Sequence, residues 1–378
     1  MAAGKVGFIE LALEHGDSPS FGWPAIGLGR RDKPAWFRSQ ARLRALCRGV
    51  RGGAGAVRGA VRASPDCTAP RADLPCANRF CEGSTMRAPE FEHALTEARA
   101  YPQLWRLLLG LGVIAFTYLG FLALLVGGAF AVLGPLAAPG YLMGLAQAAT
   151  PGQTLLVLAT FVGMFVGPML AAAALHFRDP ASLFGPWRDW WRGFRVALAV
   201  LVPIYALLVA FGAWLEPPQP NLPLARWVML LPLALPLVLL QTGAEELLFR
   251  GYLQQQLAAR FRARAIWMGL PTVIFALLHW TPEAGANLPL ILLSALVFGL
   301  VAADLSEQTG SLGAAMGLHL GNNVFGLLVV SMGDQLTGLA LFTEPGGMDE
   351  VGVPTLGMIV SIAVMALVWI ITRRILTR

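Results

Sequence analysis

Three charged side chains stand together in an otherwise apolar part of the chain. Glu245, Glu246 and Arg250 follow residues 227–241, WVMLLPLALPLVLLQ, a run that carries no charge. A charge inside hydrocarbon costs at least ~2.5–3.5 kcal/mol, so this group needs a structural or a chemical reason. Glu246 and Arg250 are four positions apart with the acid first, which predicts an ion pair on one helix face. Glu245 points about 100° away from Glu246 and has no cation in its own segment.

Further polar side chains occur in later apolar segments. His279 ends the run VIFALLH, and His319, Asn322 and Asn323 lie within GAAMGLHLGNNVFG. An unpaired carboxylate beside an imidazole can hold and deprotonate a water molecule. A second imidazole with an amide donor can stabilise a developing oxyanion. Together these groups would hydrolyse an amide bond without a covalent intermediate.

Other interpretations of the same residues stay open. Two histidines and a glutamate could bind zinc, but HExxH is absent and the ligands would come from three separate segments, so we expect no cofactor. The polar groups could instead join helices in a non-catalytic immunity or scaffold protein. Buried Glu and His also mark proton relays, which would suit a proton-coupled transporter.

The composition places these residues in a membrane. The chain is 56% hydrophobic and 13% charged, with a mean hydropathy of +0.62. Soluble domains carry about 25% charged residues, so the chain cannot cover itself with a water-facing surface. We therefore predict an all-α polytopic membrane protein. Eight apolar segments have spanning length, at residues 105–133, 152–176, 195–215, 227–259, 265–282, 287–304, 310–331 and 354–372.

The depth of the polar groups predicts how far the fourth segment runs. His279 lies 15 residues from Arg264, which is about 22 Å at 1.5 Å per residue. Glu245 reaches the same depth only if its helix continues to Arg260. Arg250 is then an intramembrane residue and not a loop residue.

Arginines predict the orientation. One side of the predicted bundle has thirteen arginines and the other only Arg226. This places both termini in the cytoplasm, with residues 178–195 and 260–264 as basic cytoplasmic loops.

Small residues at helical spacing predict close helix contacts. They are Gly163 with Gly167 and the series Gly313, Gly317 and Gly321.

The first 85 residues differ from the rest. They hold 13 Lys and Arg against 7 Asp and Glu, which accounts for the whole net charge of +6. They lack sustained periodicity, so we expect a disordered basic extension at 1–85, upstream of a natural start at Met86, and a membrane domain at 86–378. Cys47, Cys67, Cys76 and Cys81 all lie in the extension without metal-site spacing.

Three motifs in order resemble a known family. EExxxR (Glu245, Glu246, Arg250), FxxxH (Phe275, His279) and HxxxN (His319, Asn323) are similar to the CPBP intramembrane proteases. This family is also called the CAAX-protease and bacteriocin-processing, or Abi, family. The resemblance covers about residues 227–331.

The resemblance implies a glutamate-dependent intramembrane endopeptidase. Glu245 with His279 would activate the water, His319 and Asn323 would form the oxyanion site, and Glu246 and Arg250 would support it. The implied partners are the lipid bilayer and a membrane-associated peptide or protein substrate, with no role for nucleic acid. The Ala-, Gly-, Arg- and Leu-rich composition suggests a bacterial inner membrane, so the prenylated CAAX substrate of eukaryotic relatives is not transferred.

Overall fold

The apolar segments fold into helices that surround one short central helix. The structure is a computed structural model that describes residues 87–332, 336–344 and 346–378, apart from the side chains of residues 353 and 354. The predicted extension at 1–85 and its cysteines lie outside the described residues. The helices are α1 (Pro89–Ala94), α2 (Leu104–Met143), α3 (Pro151–His176), α4 (Trp187–Leu215), α5 (Leu224–Arg260), α6 (Ala265–Leu277), α7 (Leu288–Thr309), α8 (Gly313–Val324) and α9 (Val353–Leu376).

The architecture confirms an all-α polytopic membrane protein. Six helical stretches in the described residues are long and apolar enough to cross a membrane: Leu104–Met143, Pro151–His176, Pro180–Leu215, Leu224–Arg260, Pro282–Thr309 and Thr355–Leu376. Each of the eight predicted segments contains a helix, but α6 and α8 are shorter than the others. Which side of the membrane each terminus occupies stays a prediction.

The fourth segment runs as far as the depth argument requires. α5 is continuous from Leu224 to Arg260, so Arg250 lies within the helix. Its central part, Leu247–Gln254, is π-helical. The wider π turn is a frequent feature of functional sites, and here it begins directly after Glu246.

Several predicted boundaries were wrong. α2 continues to Met143 instead of ending at residue 133, and α4 begins at Trp187 instead of residue 195. Residues 305–309 were expected to form a loop, yet α7 continues to Thr309 and the turn follows at Gly310, which has φ +61°. The helix tolerates these polar residues because Ser306 Oγ donates to the carbonyl of Ala302 and Glu307 pairs with Arg264. The fifth segment ends earlier than expected, at Leu277, so that His279 lies in a turn just beyond α6.

The glycine series places α8 against α4 at backbone contact. A Cβ at Gly313 would lie 1.9 Å from the carbonyl oxygen of Trp190, and one at Gly317 would lie 2.7 Å from that of Phe194. The predicted close contact is therefore confirmed. α8 also packs against α5 and α7, and its residues from Gly313 to His319 are all buried. Polar side chains on α8 consequently face the interior of the bundle.

A small sheet lies between the helices at one end of the bundle. Its strands are β1 (Gln219–Pro220), β2 (Val330–Ser331) and β3 (Phe342–Thr343), with β3 between the other two. β1 is antiparallel and β2 parallel to β3. The strands follow α4 and α8, and so connect the loops at that end of the bundle.

Candidate active site

The predicted ion pair forms in the interior. Nη1 of Arg250 lies 2.9 Å from Oε1 of Glu246, and both side chains are almost fully buried, at 2% and 0% exposure. The second guanidinium nitrogen, Nη2, donates to the carbonyl of Gly299 on α7. A buried guanidinium needs such partners to offset its desolvation. The pair therefore ties α5 to α7 beside the site.

His319 joins both glutamates. Its Nδ1 lies 2.7 Å from Oε1 of Glu246, and its Nε2 lies 3.6 Å from Oε2 of Glu245. Glu246 thus has two partners, Arg250 and His319, where the spacing had predicted only the arginine. With Nδ1 held by Glu246, Nε2 is the nitrogen that faces Glu245.

Two phenylalanines enclose the imidazole. The ring centroid of Phe298 is 4.7 Å from that of His319, and the Phe275 ring is 6.2 Å away at an angle of 80°. Phe275 also lies 4.6 Å from the guanidinium carbon of Arg250, a cation–π distance. Phe275, the first residue of the FxxxH motif, therefore packs against both Arg250 and His319. Phe298 belongs to no motif and was not predicted.

His279 lies in the turn after α6 and bonds to the backbone of that helix. Its Nδ1 lies 2.8 Å from the carbonyl oxygen of Phe275, and because a carbonyl can only accept, Nδ1 carries the hydrogen. Nε2 of the neutral ring is then free to take a proton. No hydrogen bond or ion pair joins His279 to Glu245 within the described ranges, and the ring is exposed at the cavity wall.

Asn323 contacts Glu245 through a residue that the motifs did not indicate. Nδ2 of Asn323 donates to Oε1 of Gln241 at 2.9 Å, and Nε2 of Gln241 donates to Oε1 of Glu245 at 2.6 Å. Gln241 lies one helical turn before Glu245 on α5. This i, i+4 spacing of a glutamine and a glutamate could have revealed it.

A single cavity brings the site residues together. It has a volume of about 620 Å³ and is lined by Glu245, His279, His319 and Asn323, as the common depth predicted. Its remaining wall is mostly apolar and comes from α4, α7, α9 and the loop end that carries Glu216 and Glu344. Glu246 and Arg250 lie behind this wall.

The carboxylate of Glu245 is partly exposed in the cavity. Its side chain is 13% exposed, and its Oε1 accepts a hydrogen bond from Gln241. Its Oε2 is a buried atom with no hydrogen-bond partner among the described residues, and it lies 3.6 Å from Nε2 of His319. One oxygen of the carboxylate is therefore fixed by Gln241, and the other lies beside the imidazole.

The cavity is lined by glutamate and histidine side chains, which are residue types that zinc binds. A zinc ion needs at least three protein ligands around one point. In the part of the chain that the structure describes, no three His, Cys, Asp or Glu side chains converge in this way. As placed, the donor set does not fit a zinc ion, and the mechanism proposed below has no metal step.

Comparison with known proteins connects this geometry to a protease family. Residues 227–325 match the family described as type II CAAX prenyl endopeptidase Rce1-like. The chain is also similar to the uncharacterized protein YyaK of Bacillus subtilis (strain 168), with 32% identity over 126 residues. That alignment covers 32% of this chain and 42% of YyaK. No solved structure matches the chain.

The match coincides with the site. Glu245, Glu246, Arg250, His279, His319 and Asn323 all lie inside the matched range. α5 to α8, which position them, make up the same range. Residues 227–325 therefore match the type II CAAX prenyl endopeptidase Rce1-like family, within a chain that has the helices of a multi-pass membrane protein.

Proposed function

We propose that this protein is an intramembrane endopeptidase that hydrolyses a peptide bond of a membrane-associated protein or peptide. The observation that carries the proposal is the position of Glu245, which lines the cavity together with His279, His319 and Asn323 and has its Oε2 3.6 Å from Nε2 of His319. Glu246 and Arg250 pair with each other and lie outside the lining, so Glu245 is the acid that a substrate in the cavity would meet. The match to a protease family supports the same chemistry.

In the proposed reaction, Glu245 is the general base. Its carboxylate takes a proton from a water molecule, which adds to the carbonyl carbon of the scissile bond. The proton then passes to the leaving nitrogen as the C–N bond breaks, so one water and one peptide bond become a carboxylic acid and an amine. His279 lines the same cavity with a free Nε2 and assists the proton transfer.

The developing oxyanion needs hydrogen-bond donors. His319, when Nε2 carries a hydrogen, and the second N–H of the Asn323 amide can both donate into the cavity. Glu246 holds the opposite side of the His319 ring, and Arg250 neutralises Glu246. We therefore assign Glu246 and Arg250 to support of the site.

The apolar cavity wall suits a substrate that enters from the bilayer. Whether that substrate is prenylated is part of the test. From the arginine distribution we also propose a cell-membrane location with both termini in the cytoplasm.

The experiment uses the full chain, purified in lipid nanodiscs. Two peptide sets of identical sequence, one farnesylated at a CAAX cysteine and one unmodified, are incubated with it and the products are identified by mass spectrometry. We expect cleavage by the native chain and at least ~100-fold slower cleavage by Glu245→Gln, because the general base is lost.

The matched control is Glu307→Gln, which also removes a buried carboxylate but lies outside the cavity lining. It should lower thermal stability and keep its specific activity. Turnover by Glu245→Gln at the native rate would exclude Glu245 as the base. Failure of the native chain to cleave any member of either set would overturn the proposal.

A further inference from the structure

A continuous chain of hydrogen bonds ends on Glu245. It begins at the hydroxyl of Tyr205 on α4, which donates to Oδ1 of Asn322 at 3.0 Å. Nδ2 of Asn322 donates to Oδ1 of Asn323 at 3.2 Å. Asn323 donates to Gln241, and Gln241 donates to Glu245 at 2.6 Å.

The direction of this chain follows from its last member. An ionised carboxylate can only accept, so the NH₂ end of Gln241 must face Glu245 and its carbonyl end must face Asn323. Each side-chain amide has one donor end and one acceptor end, so the orientation of Gln241 determines that of Asn323, and then that of Asn322. Tyr205 completes the chain because a hydroxyl can donate to the last acceptor.

The chain acts on one oxygen of Glu245 only. Gln241 is 7% exposed and donates to Oε1, whereas Oε2 has no hydrogen-bond partner in the described residues. A donor at Oε1 stabilises the ionised form of the carboxylate and restricts its rotation. Oε2 is thereby held on the side of His319, 3.6 Å from its Nε2.

We infer that Gln241 is a positioning residue that holds Oε1 of Glu245 and so turns Oε2 toward His319, with Asn323, Asn322 and Tyr205 fixing the orientation of the Gln241 amide. The catalytic consequence rests on the proposed function. The hydrogen-bond chain itself does not, so the two can be tested separately. Asn323 takes part in both because its amide has two hydrogens, one for Gln241 and one for the cavity.

Other charged and titratable groups face Glu245 and must be kept constant. Glu246 and Arg250 lie on the same helix, His319 approaches from α8, and His279 lies across the cavity. None of these changes when Gln241 is replaced. A shift in the protonation of Glu245 can then be assigned to the lost donor.

The test is a pH titration of the full chain in nanodiscs, followed by infrared spectroscopy of the protonated carboxyl band. Glu245→Gln identifies the band of Glu245. In Gln241→Met we expect the midpoint of this band to rise by about one pH unit, a tenfold change in the protonation constant, because a hydrogen bond to a charged group is lost.

The matched control is Gln254→Met. Gln254 is a buried glutamine of the same helix, and its Nε2 donates to the backbone carbonyl of Ala303 instead of to Glu245. It should lower the melting temperature and leave the midpoint unchanged. An equal shift in both variants, or no shift in Gln241→Met, would overturn the inference.

Tyr205→Phe provides a second variant that keeps all the amides. It removes only the first donor, so we expect a smaller shift in the same direction; an unchanged midpoint would remove Tyr205 from the chain. If a substrate is found, the acid limb of the kcat profile should move with the infrared midpoint while KM stays constant. A native chain that cleaves nothing would reject the proposed function and leave the infrared result standing.

Discussion

Two buried polar groups lie one to two turns apart along α5, and they differ in what surrounds them. The cavity cluster consists of Glu245, Glu246, Arg250 and His319. The arginine cluster consists of Arg178, Ser182 and Gln255, with His176 and Tyr252 beside them. Each contains an arginine that is 2% exposed, so burial of charge does not distinguish them.

The two arginines bind different kinds of partner. Arg250 has a carboxylate at 2.9 Å, whereas Arg178 bonds to neutral groups, Oε1 of Gln255 at 2.7 Å and the hydroxyl of Ser182. Burial is the largest influence on Arg178 and lowers its pKa to about 10, with the charge of Glu97 opposing it. No residue of the arginine cluster lines the cavity that holds Glu245.

The comparison shows which property marks the candidate site. Both clusters have a buried arginine and a buried histidine. Only the cavity cluster also has a carboxylate that lines a cavity, that of Glu245. A buried charge by itself is therefore evidence of packing, and a carboxylate at a cavity wall is evidence of chemistry.

Replacement of the two arginines should give the largest difference in stability between the two clusters. Arg250→Met leaves Glu246 buried without its cation, so we expect a loss of about 3–5 kcal/mol in the free energy of unfolding, together with loss of hydrolysis. Arg178→Met leaves only neutral partners and should cost about 1–3 kcal/mol. Chemical denaturation in mild detergent measures both. Equal losses would show that the Glu246 charge does not depend on Arg250.

Replacement of the two histidines tests function in the same way. His319→Phe removes the nitrogen that faces Glu245 and should slow peptide cleavage about 100- to 1,000-fold, as expected for loss of an oxyanion donor. His176→Phe removes hydrogen bonds to Tyr252 and to the carbonyl of Tyr101. It should lower the melting temperature and leave the cleavage rate per folded molecule unchanged. A slower rate in His176→Phe would contradict the division into two clusters.

The smallest effect is expected at the loop end of the cavity. Partial burial, and then the charge of Glu216, raise the pKa of Glu344. The folded chain keeps this proton to a higher pH than the unfolded chain, so its contribution to stability falls as pH rises through the raised pKa. In Glu216→Gln the free energy of unfolding should decrease less with rising pH than in the native chain. The difference should be less than about 1 kcal/mol, because solvent screens the pair.

Melting temperatures of the native chain and Glu216→Gln from about pH 4 to pH 8 measure this effect. Glu97→Gln, at an exposed glutamate outside the cavity lining, is the control. A pH dependence that is the same in all three proteins would show that Glu216 does not act on Glu344.

Local spacing was sufficient for part of the site. The i, i+4 order of Glu246 and Arg250 predicted their ion pair, and the depth of His279 predicted that α5 continues to Arg260. Both arguments use only helix geometry and the cost of charge in hydrocarbon, which hold for any neighbours. The glycine spacing on α8 predicted a close contact for the same reason.

The sequence did not predict the specific side-chain contacts between helices. These contacts are the bond of His319 to Glu246, the enclosure of His319 by Phe298 and the bond of Asn323 to Gln241. Each joins two helices, and no local sequence pattern gives the rotation of one helix relative to another. The extension of α7 to Thr309 was misjudged because hydropathy does not report the hydrogen bonds and ion pairs that satisfy polar side chains within a helix.

The sequence by itself determined that this is a multi-pass helical membrane protein with acid, imidazole and amide groups at a common depth, because helix rise and desolvation cost depend on the chain alone. Only the tertiary structure decided where the two carboxylates lie. Oε1 of Glu246 binds Arg250 and His319 behind the cavity wall, while Glu245 lines the cavity. That distinction depends on how α5, α7 and α8 pack, since adjacent residues of one helix become different only through what lies against them.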